Sequence, residues 1–297
     1  MTSKTKIRLK GHESFYIREG WIRKSIKALE IDEQILAKNN AVDELGIGAN
    51  MVKAMRYWLT AIGLTEEYRI DGAKRAQRLT ENFGDIIIKN DKFIEDTGSL
   101  ALLHYKLCNN LEQATSWYLF FNKVKANEFK KSEMSGLIKQ ELLNIDPEIS
   151  FSQKSLVDDC TCIIKTYCYD REDLKNPEDN LVSPFTELGL IRKVKDKYKE
   201  DVIIKSIPKK SNIDKLIILY IILDQLKESR FITIGNLLEY EGNIGKVFNL
   251  DKSMVDEYID DLENEGYLTI NRTAGLNTIY INNITKEEIL VKYYTGK

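Results

Sequence analysis

The chain is short of histidine, cysteine and proline. Two His and four Cys in 297 residues leave little material for His-rich metal sites or imidazole acid–base chemistry. Cys160, Cys162 and Cys168 crowd together while Cys108 stands far away, a poor framework for disulfides. Their C-x-C-x5-C spacing also lacks the C-x2-4-C pairs of a zinc site. Four Pro leave long uninterrupted segments, which favours helices. The longest apolar run, Leu216–Leu223, falls far short of the ~20 residues that span a bilayer. The opening stretch MTSKTKIRLKGHE has no apolar core of a signal peptide. These absences point to a soluble cytoplasmic protein with reduced thiols, no membrane contact, no metal and no cofactor.

Catalytic motifs are missing as well. GIGAN (46–50) lacks the third glycine of a dinucleotide fingerprint, and GNIGK (242–246) lacks the spacing of a P-loop. His12-Glu13 is not followed by the second His of H-E-x-x-H, and no G-x-S-x-G occurs. The expectation is a non-enzymatic protein. The alternative within catalysis is a metal-dependent nuclease whose acidic ligands are dispersed along the chain.

What is present is patterned charge. Lys and Arg number 44 against 46 Asp and Glu, a net charge of −2 that excludes a wholly basic nucleic-acid coat. The first 78 residues nevertheless hold 15 Lys/Arg against 10 Asp/Glu, so the basic residues concentrate at one end. Within them, AVDELGIGANMVKAMRYWLTAIGL (41–64) reads as a short helix stopped by Gly46 and Gly48, then a second helix to about Ile62 with Asn50 as its N-cap. Met51, Met55, Trp58 and Ile62 recur at helical spacing as a buried stripe. Lys53, Arg56, Tyr57 and Thr60 fall on another face, where cations and hydroxyls suit phosphates and base edges. Tyr68–Ile70, a turn at Asp71-Gly72, then Lys74, Arg75 and Arg78 read as a β-hairpin with a basic tip. With Trp21–Leu29 as a first helix, the order is that of a winged helix-turn-helix. Its predicted DNA contacts are Asn50, Lys53, Arg56, Tyr57, Thr60, Lys74, Arg75 and Arg78, toward double-stranded DNA.

The middle reads as helical. Thr97 or Ser99 caps a helix with Leu100, Leu103 and Leu107 on one side, and SWYLFFNKV (116–124) forms another. Its aromatics, and His104 beside the Leu stripe, read as core rather than as a stacking platform or a catalytic pair. Gln153–Tyr169 reads as a helix that packs its thiols inside. Asn176–Ser183 is the most turn-rich stretch, and Lys193–Lys210 reads as a charged, mobile segment.

The C-terminal third repeats the pattern with opposite charge. Ser211-Asn-Ile-Asp214 reads as a capping box opening an apolar helix through Leu226, and Thr233–Tyr240 as the next helix. Asp251 or Ser253 caps a third helix, followed by strands around Gly275. Between positions 251 and 265, seven acidic residues face a single Lys252, which a phosphate groove would repel. Asp256, Glu257, Asp260 and Asp261 are therefore assigned to protein contact or dimerisation. The expected fold is mainly α, with winged helix-turn-helix domains at both ends (1–92 and 193–297) around a helical middle (93–192).

The blocks LKGHESFYIREGW, LGIGANMVKAMRYWLTAIGL, LTENFGDIII, FIEDTGSLALLHYKL, WYLFFN and SPFTELGLI occur in order. In them the chain resembles the bacterial family known as domain of unknown function 4007, over about residues 9–192. The family's pattern is more aromatic around Ser99–His104. The family has no firmly assigned activity. The resemblance implies association with bacterial DNA-modification and anti-phage defence islands, notably those for phosphorothioation of DNA. Gly11, His12, Phe15, Arg18, Gly20 and Trp21 match the family's first block. His12 and Arg18 are carried over as a possible polar site, while Phe15 and Trp21 equally serve to staple the N-terminal arm to the core. The leading expectation is a DNA-binding component or transcriptional regulator of such a system, with partner proteins from the same operon. The alternative is an adaptor that docks a partner enzyme through the acidic C-terminal domain.

Overall fold

A computed structural model of the protein describes residues 6–72, 74–168, 182–226, 229, 231–272 and 277–296. Thirteen α-helices occur among them, joined by short antiparallel sheets. At the N-terminus come α1 (Trp21–Ile31), α2 (Ala41–Leu45) and α3 (Ala49–Ala61), then the hairpin β1 (Thr65–Ile70) and β2 (Lys74–Leu79). The two strands pair from Thr65↔Leu79 to Ile70↔Lys74. Asp71 (φ 49°) and Gly72 (φ 76°) both take left-handed backbone between them, as a tight hairpin turn requires. α3 is capped at Gly48, whose lack of a side chain leaves no capping hydrogen bond. Asn50 thus lies inside the helix and not at its N-cap, because Gly48 already supplies the extended backbone that opens the helix.

The middle comprises α4 (Gly84–Asn90), α5 (Thr97–Cys108), α6 (Thr115–Tyr118), β3 (Glu128–Lys130), α7 (Met134–Ile145) and α8 (Gln153–Tyr167). Asp96, not Thr97 or Ser99, caps α5: its carboxylate accepts from the Gly98 and Ser99 amides. α6 runs into a π-helical turn at Leu119–Lys123, which places Phe120 and Phe121 in the core. The stretch 193–210, read from sequence as mobile, instead carries regular structure along its length. β4 (Ile191–Lys195) and β5 (Asp201–Lys205) form a hairpin, and β3 adds to β5 in the order β3-β5-β4. Val202 and Ile203 supply the buried residues that fix those strands, which charge density alone conceals. The helix expected over Gln153–Tyr169 ends at Tyr167. Positions 169–181, which include most of the turn-rich stretch Asn176–Ser183, lie outside the described residues.

The C-terminal third holds α9 (Lys215–Leu226), β6 (Phe231–Thr233), α10 (Ile234–Glu239), α11 (Ile244–Val247), α12 (Lys252–Asn264), β7 (Leu268–Asn271), β8 (Thr278–Ile281) and α13 (Lys286–Thr295). The strand order is β6-β8-β7, and the turn around Gly275 lies outside the described residues. Asp214, not Ser211, opens α9 by accepting from the Leu216 amide; Ser211 sits in a preceding 3-10 turn. Asp251 caps α12 through the Met254 amide. α5 and α9 are apolar on nearly every side, so both are wrapped by neighbours and form the centre. One contiguous core links residues from Ile17 in the N-terminal arm to Tyr293 in α13. No helix among the described residues is long and apolar enough to cross a membrane.

Candidate nucleic-acid interface

The N-terminal arm, α3 and the β1–β2 hairpin meet around a small notch of about 160 Å³. Arg8, Lys53, Arg56 and Arg75 line it, together with Gly11, Glu13, Tyr57 and Glu67. Four cations against two carboxylates give the notch a positive balance. Lys53, Lys74 and Arg75 are exposed. Among the described residues Lys53 makes one long contact, 3.5 Å to Asn50 Oδ1, itself exposed. Arg56 is more constrained, since its guanidinium forks onto Glu67 at 2.7 and 2.9 Å across to β1. Burial pushes the Glu67 carboxyl upward, but Arg56 outweighs it and holds the group below its ordinary range. Arg78 pairs with Glu66 on the hairpin's outer surface and lies over the Tyr68 ring.

Two expected contacts are placed differently. Tyr57 is buried beneath Arg8, whose guanidinium lies 4.9 Å from the ring centroid, so the tyrosine floors the notch instead of standing on an open face. A Cβ at Gly11 would come within 2.4 Å of that ring, so the arm packs there only because the residue is glycine. Thr60 is engaged internally: its hydroxyl donates to the Arg56 carbonyl and accepts from Gln77 Nε2 at 2.8 Å. Together they pin β2 against α3. Of the eight predicted contacts, Lys53, Lys74 and Arg75 remain freest for a ligand.

His12 and Arg18 do not form a joint site. His12 is fully buried, and its Nε2 donates to Asp159 Oδ1 at 2.8 Å. The same carboxylate accepts from the Lys10 amide at 2.8 Å and from Ser116 Oγ at 2.5 Å. The His12 ring lies among Tyr57, Trp58 and Trp117. This network ties the arm to α6 and α8. Arg18 lies instead against Phe15, Tyr16 and Trp21, at 5.5–5.8 Å from their centroids. The stapling role of Phe15 and Trp21 is thus visible, their rings 6.3 Å apart.

His104 is fully buried as a core residue, between the Tyr167 hydroxyl at 2.7 Å and the Val247 carbonyl at 2.8 Å. Burial pulls its pKa down to about 4, so it is neutral at physiological pH. Lys205 is a cation that the sequence pattern did not single out. It donates to the Phe120 and Val124 carbonyls, both at 2.6 Å, satisfying the end of the π-helical turn. Burial pulls it down to about 7.

The acidic face of α12 is answered locally. Asp256 pairs with Lys252, Asp260 with Arg272, and Asp261 and Glu257 with Lys210. Glu265 pairs with Lys215. Among the described residues no group of three His, Cys, Asp or Glu stands close enough to hold a metal ion.

Sequence reasoning missed Arg8, Glu67 and Asp159 as site-forming residues. Arg8 carried a signal, two positions before the Lys10-Gly11-His12 block. Asp159 carried none, because it sits in a helix read only through its cysteines.

Fold and site together define a mainly helical protein with small antiparallel hairpins and a cationic notch where its N-terminal arm crosses α3. The chain belongs to the family described as "Protein of unknown function (DUF4007)", which matches residues 9–294. The match thus extends through the C-terminal third, beyond the roughly 9–192 that the motif blocks indicated. No curated protein matches the chain. Two solved structures share the fold at 24% identity: the "Magnesium ion-bound SspB crystal structure", at TM-score 0.85, and the "SspB crystal structure", at 0.81. Each alignment covers 97% of this chain, and 88% and 86% respectively of those chains.

Proposed function

We propose that this chain is a DNA-binding component of a bacterial DNA-modification system of the phosphorothioation type, or of an anti-phage defence system, acting by binding and not by catalysis. The carrying observation is the convergence of Arg8, Lys53, Arg56 and Arg75 on one notch beside the exposed hairpin cations. On this reading α1–α3 and β1–β2 form a winged helix-turn-helix, with α3 toward the duplex and the hairpin as wing. The family membership and the likeness in fold to SspB support the operon context. Partner proteins then come from the same operon, and cytoplasmic location follows from the work assigned. The test is a gel shift of duplex DNA with Lys53→Ala/Arg75→Ala, two exposed residues outside the core. Binding at least tenfold weaker supports the reading; unchanged affinity overturns it.

One observation favours a second reading. A solved structure of this fold is described as bound to magnesium, the ion of many phosphodiester-cleaving centres. A metal-dependent nuclease with dispersed acidic ligands is accordingly the alternative. Cleavage of plasmid DNA with Mg²⁺ that EDTA abolishes would replace the first reading with this one.

A further inference from the structure

A larger cleft, about 530 Å³, opens between α7, α8 and the β4–β5 hairpin. Its floor is one face of α8, where Val157 and Ile164 fall two turns apart. Val157 is 45% exposed there, an aliphatic side chain that no protein segment covers among the described residues. The rim is cationic, with Lys131, Lys195 and Lys199 around it. Two carboxylates also line the cleft, and each has its own partner: Asp201 pairs with Lys195 at 2.6 Å, and Glu200 with Lys130 at 2.5 Å. Lys131 and Lys199 make no direct ion pair among the described residues, although Lys131 also acts through space on Asp201; three lysines against two carboxylates leave the rim a positive excess. Ser132, in the 3-10 turn before α7, and Ser135, in the first turn of α7, add hydroxyl donors.

The rim is also held in place. Asp196 accepts from the Tyr198 amide at 2.8 Å and the Glu200 amide at 2.9 Å, fixing the turn that carries Lys199. Lys199 itself has φ 63°, a conformation such a turn imposes. β5 is clamped between β3 and β4, and β3 leads directly into Lys131. Lys131, just past the end of β3, and Lys199, in the β4–β5 turn, are thus presented at the same end of one sheet, above an uncovered aliphatic floor. A preformed cavity within the usual size range of small-molecule sites, with apolar walls and few convergent charges, is the ordinary form of a ligand pocket.

We infer that this cleft binds a phosphorylated small molecule with a planar or apolar body, of mononucleotide size. Its phosphate lies among Lys131, Lys199 and the Ser132 and Ser135 hydroxyls, and its body lies on Val157 and Ile164. The site is separate in its residues from the N-terminal notch, so it does not depend on the DNA-binding reading.

The test is calorimetric titration of the full-length protein with AMP, ATP and inorganic phosphate. Three variants accompany it: Lys131→Ala/Lys199→Ala, Val157→Glu, and Lys252→Ala, an exposed lysine on α12 in neither site, as a control. At least one nucleotide should bind, about tenfold more weakly in the first two variants and unchanged in the third. Circular dichroism melts check that the variants fold; Lys131, Lys199 and Val157 are exposed, so folding should persist. Absence of binding to wild type by both nucleotides at about 1 mM overturns the inference. So does inorganic phosphate binding as tightly as the nucleotides, or nucleotide binding that the cleft variants leave intact.

Discussion

The N-terminal and C-terminal thirds carry opposite charge and dispose of it differently. In the C-terminal third the acids of α12 and of its C-cap Glu265 are matched by Lys210, Lys215, Lys252 and Arg272. In the N-terminal third Arg56 and Arg78 are matched by Glu67 and Glu66, while Lys53 and Arg75 stand exposed beside Arg8 and Lys74 is exposed at the hairpin tip. The lesson is that local net charge does not equal available charge. A run of seven acids invites a basic partner on paper, yet most of it is already neutralised within the fold. The basic end, with a smaller excess, presents more cation to an outside ligand. The adaptor reading therefore rests on a weaker footing than composition suggested.

The two ends also differ in how they attach to the middle, and the largest expected effect lies there. Asp159 anchors the N-terminal arm while 1% exposed, and Asp224 anchors α13 through Lys286 to α5 through Tyr105 and Lys106. Asp159→Ala strands a buried His12, a Ser116 hydroxyl and an amide, and should cost about 4 kcal/mol. Asp224 is less enclosed. Burial pushes its carboxyl up, but the lysines and Tyr105 outweigh that and hold it at about 2. Asp224→Ala should cost about 2 kcal/mol, discounted for solvent screening. Urea unfolding of both variants measures the difference; equal losses would erase the contrast.

Next in size is a pH effect from the middle. His104 has a folded pKa of about 4 against an ordinary value of 6.5. The unfolded chain therefore binds the extra proton between those values, and stability falls as pH drops from about 6.5 toward 4. The full effect is about 3 kcal/mol. In His104→Gln, unfolding midpoints should be lower at pH 7 but flatter between about pH 6.5 and 5. A slope as steep as wild type would assign the acid sensitivity elsewhere.

The smallest effect concerns α12. Arg272→Ala releases Asp260 at an exposed, solvent-screened site and should leave the melting temperature nearly unchanged. A larger loss in a thermal melt would mean that the acidic face is structurally dependent on its partners.

Much of this was legible in the sequence, and the failures share a cause. Helix α3, the Asp71-Gly72 turn and the Asp251 cap follow local rules of periodicity, turn chemistry and capping. The caps at Asp96 and Asp214 were displaced by one or a few residues because several capping types stood together and only packing chose among them. The burial of Tyr57 depends on Gly11 and Arg8, far back in the N-terminal arm, and no helical wheel of α3 contains them. Asp159 joins Lys10 and His12 across most of the N-terminal half of the chain. Local pattern finds elements and their faces, while long-range polar pairing decides which charges stay free.

The most direct test is the salt dependence of duplex-DNA affinity for Lys53→Glu/Arg75→Glu beside Asp256→Lys/Asp260→Lys. If the basic end engages the duplex, the first pair weakens binding and lowers the slope of log affinity on log salt by about 2, at ~0.9 for each phosphate no longer neutralised. The second pair then leaves the slope unchanged. A slope that holds in the first pair and shifts in the second would contradict DNA binding by the basic end.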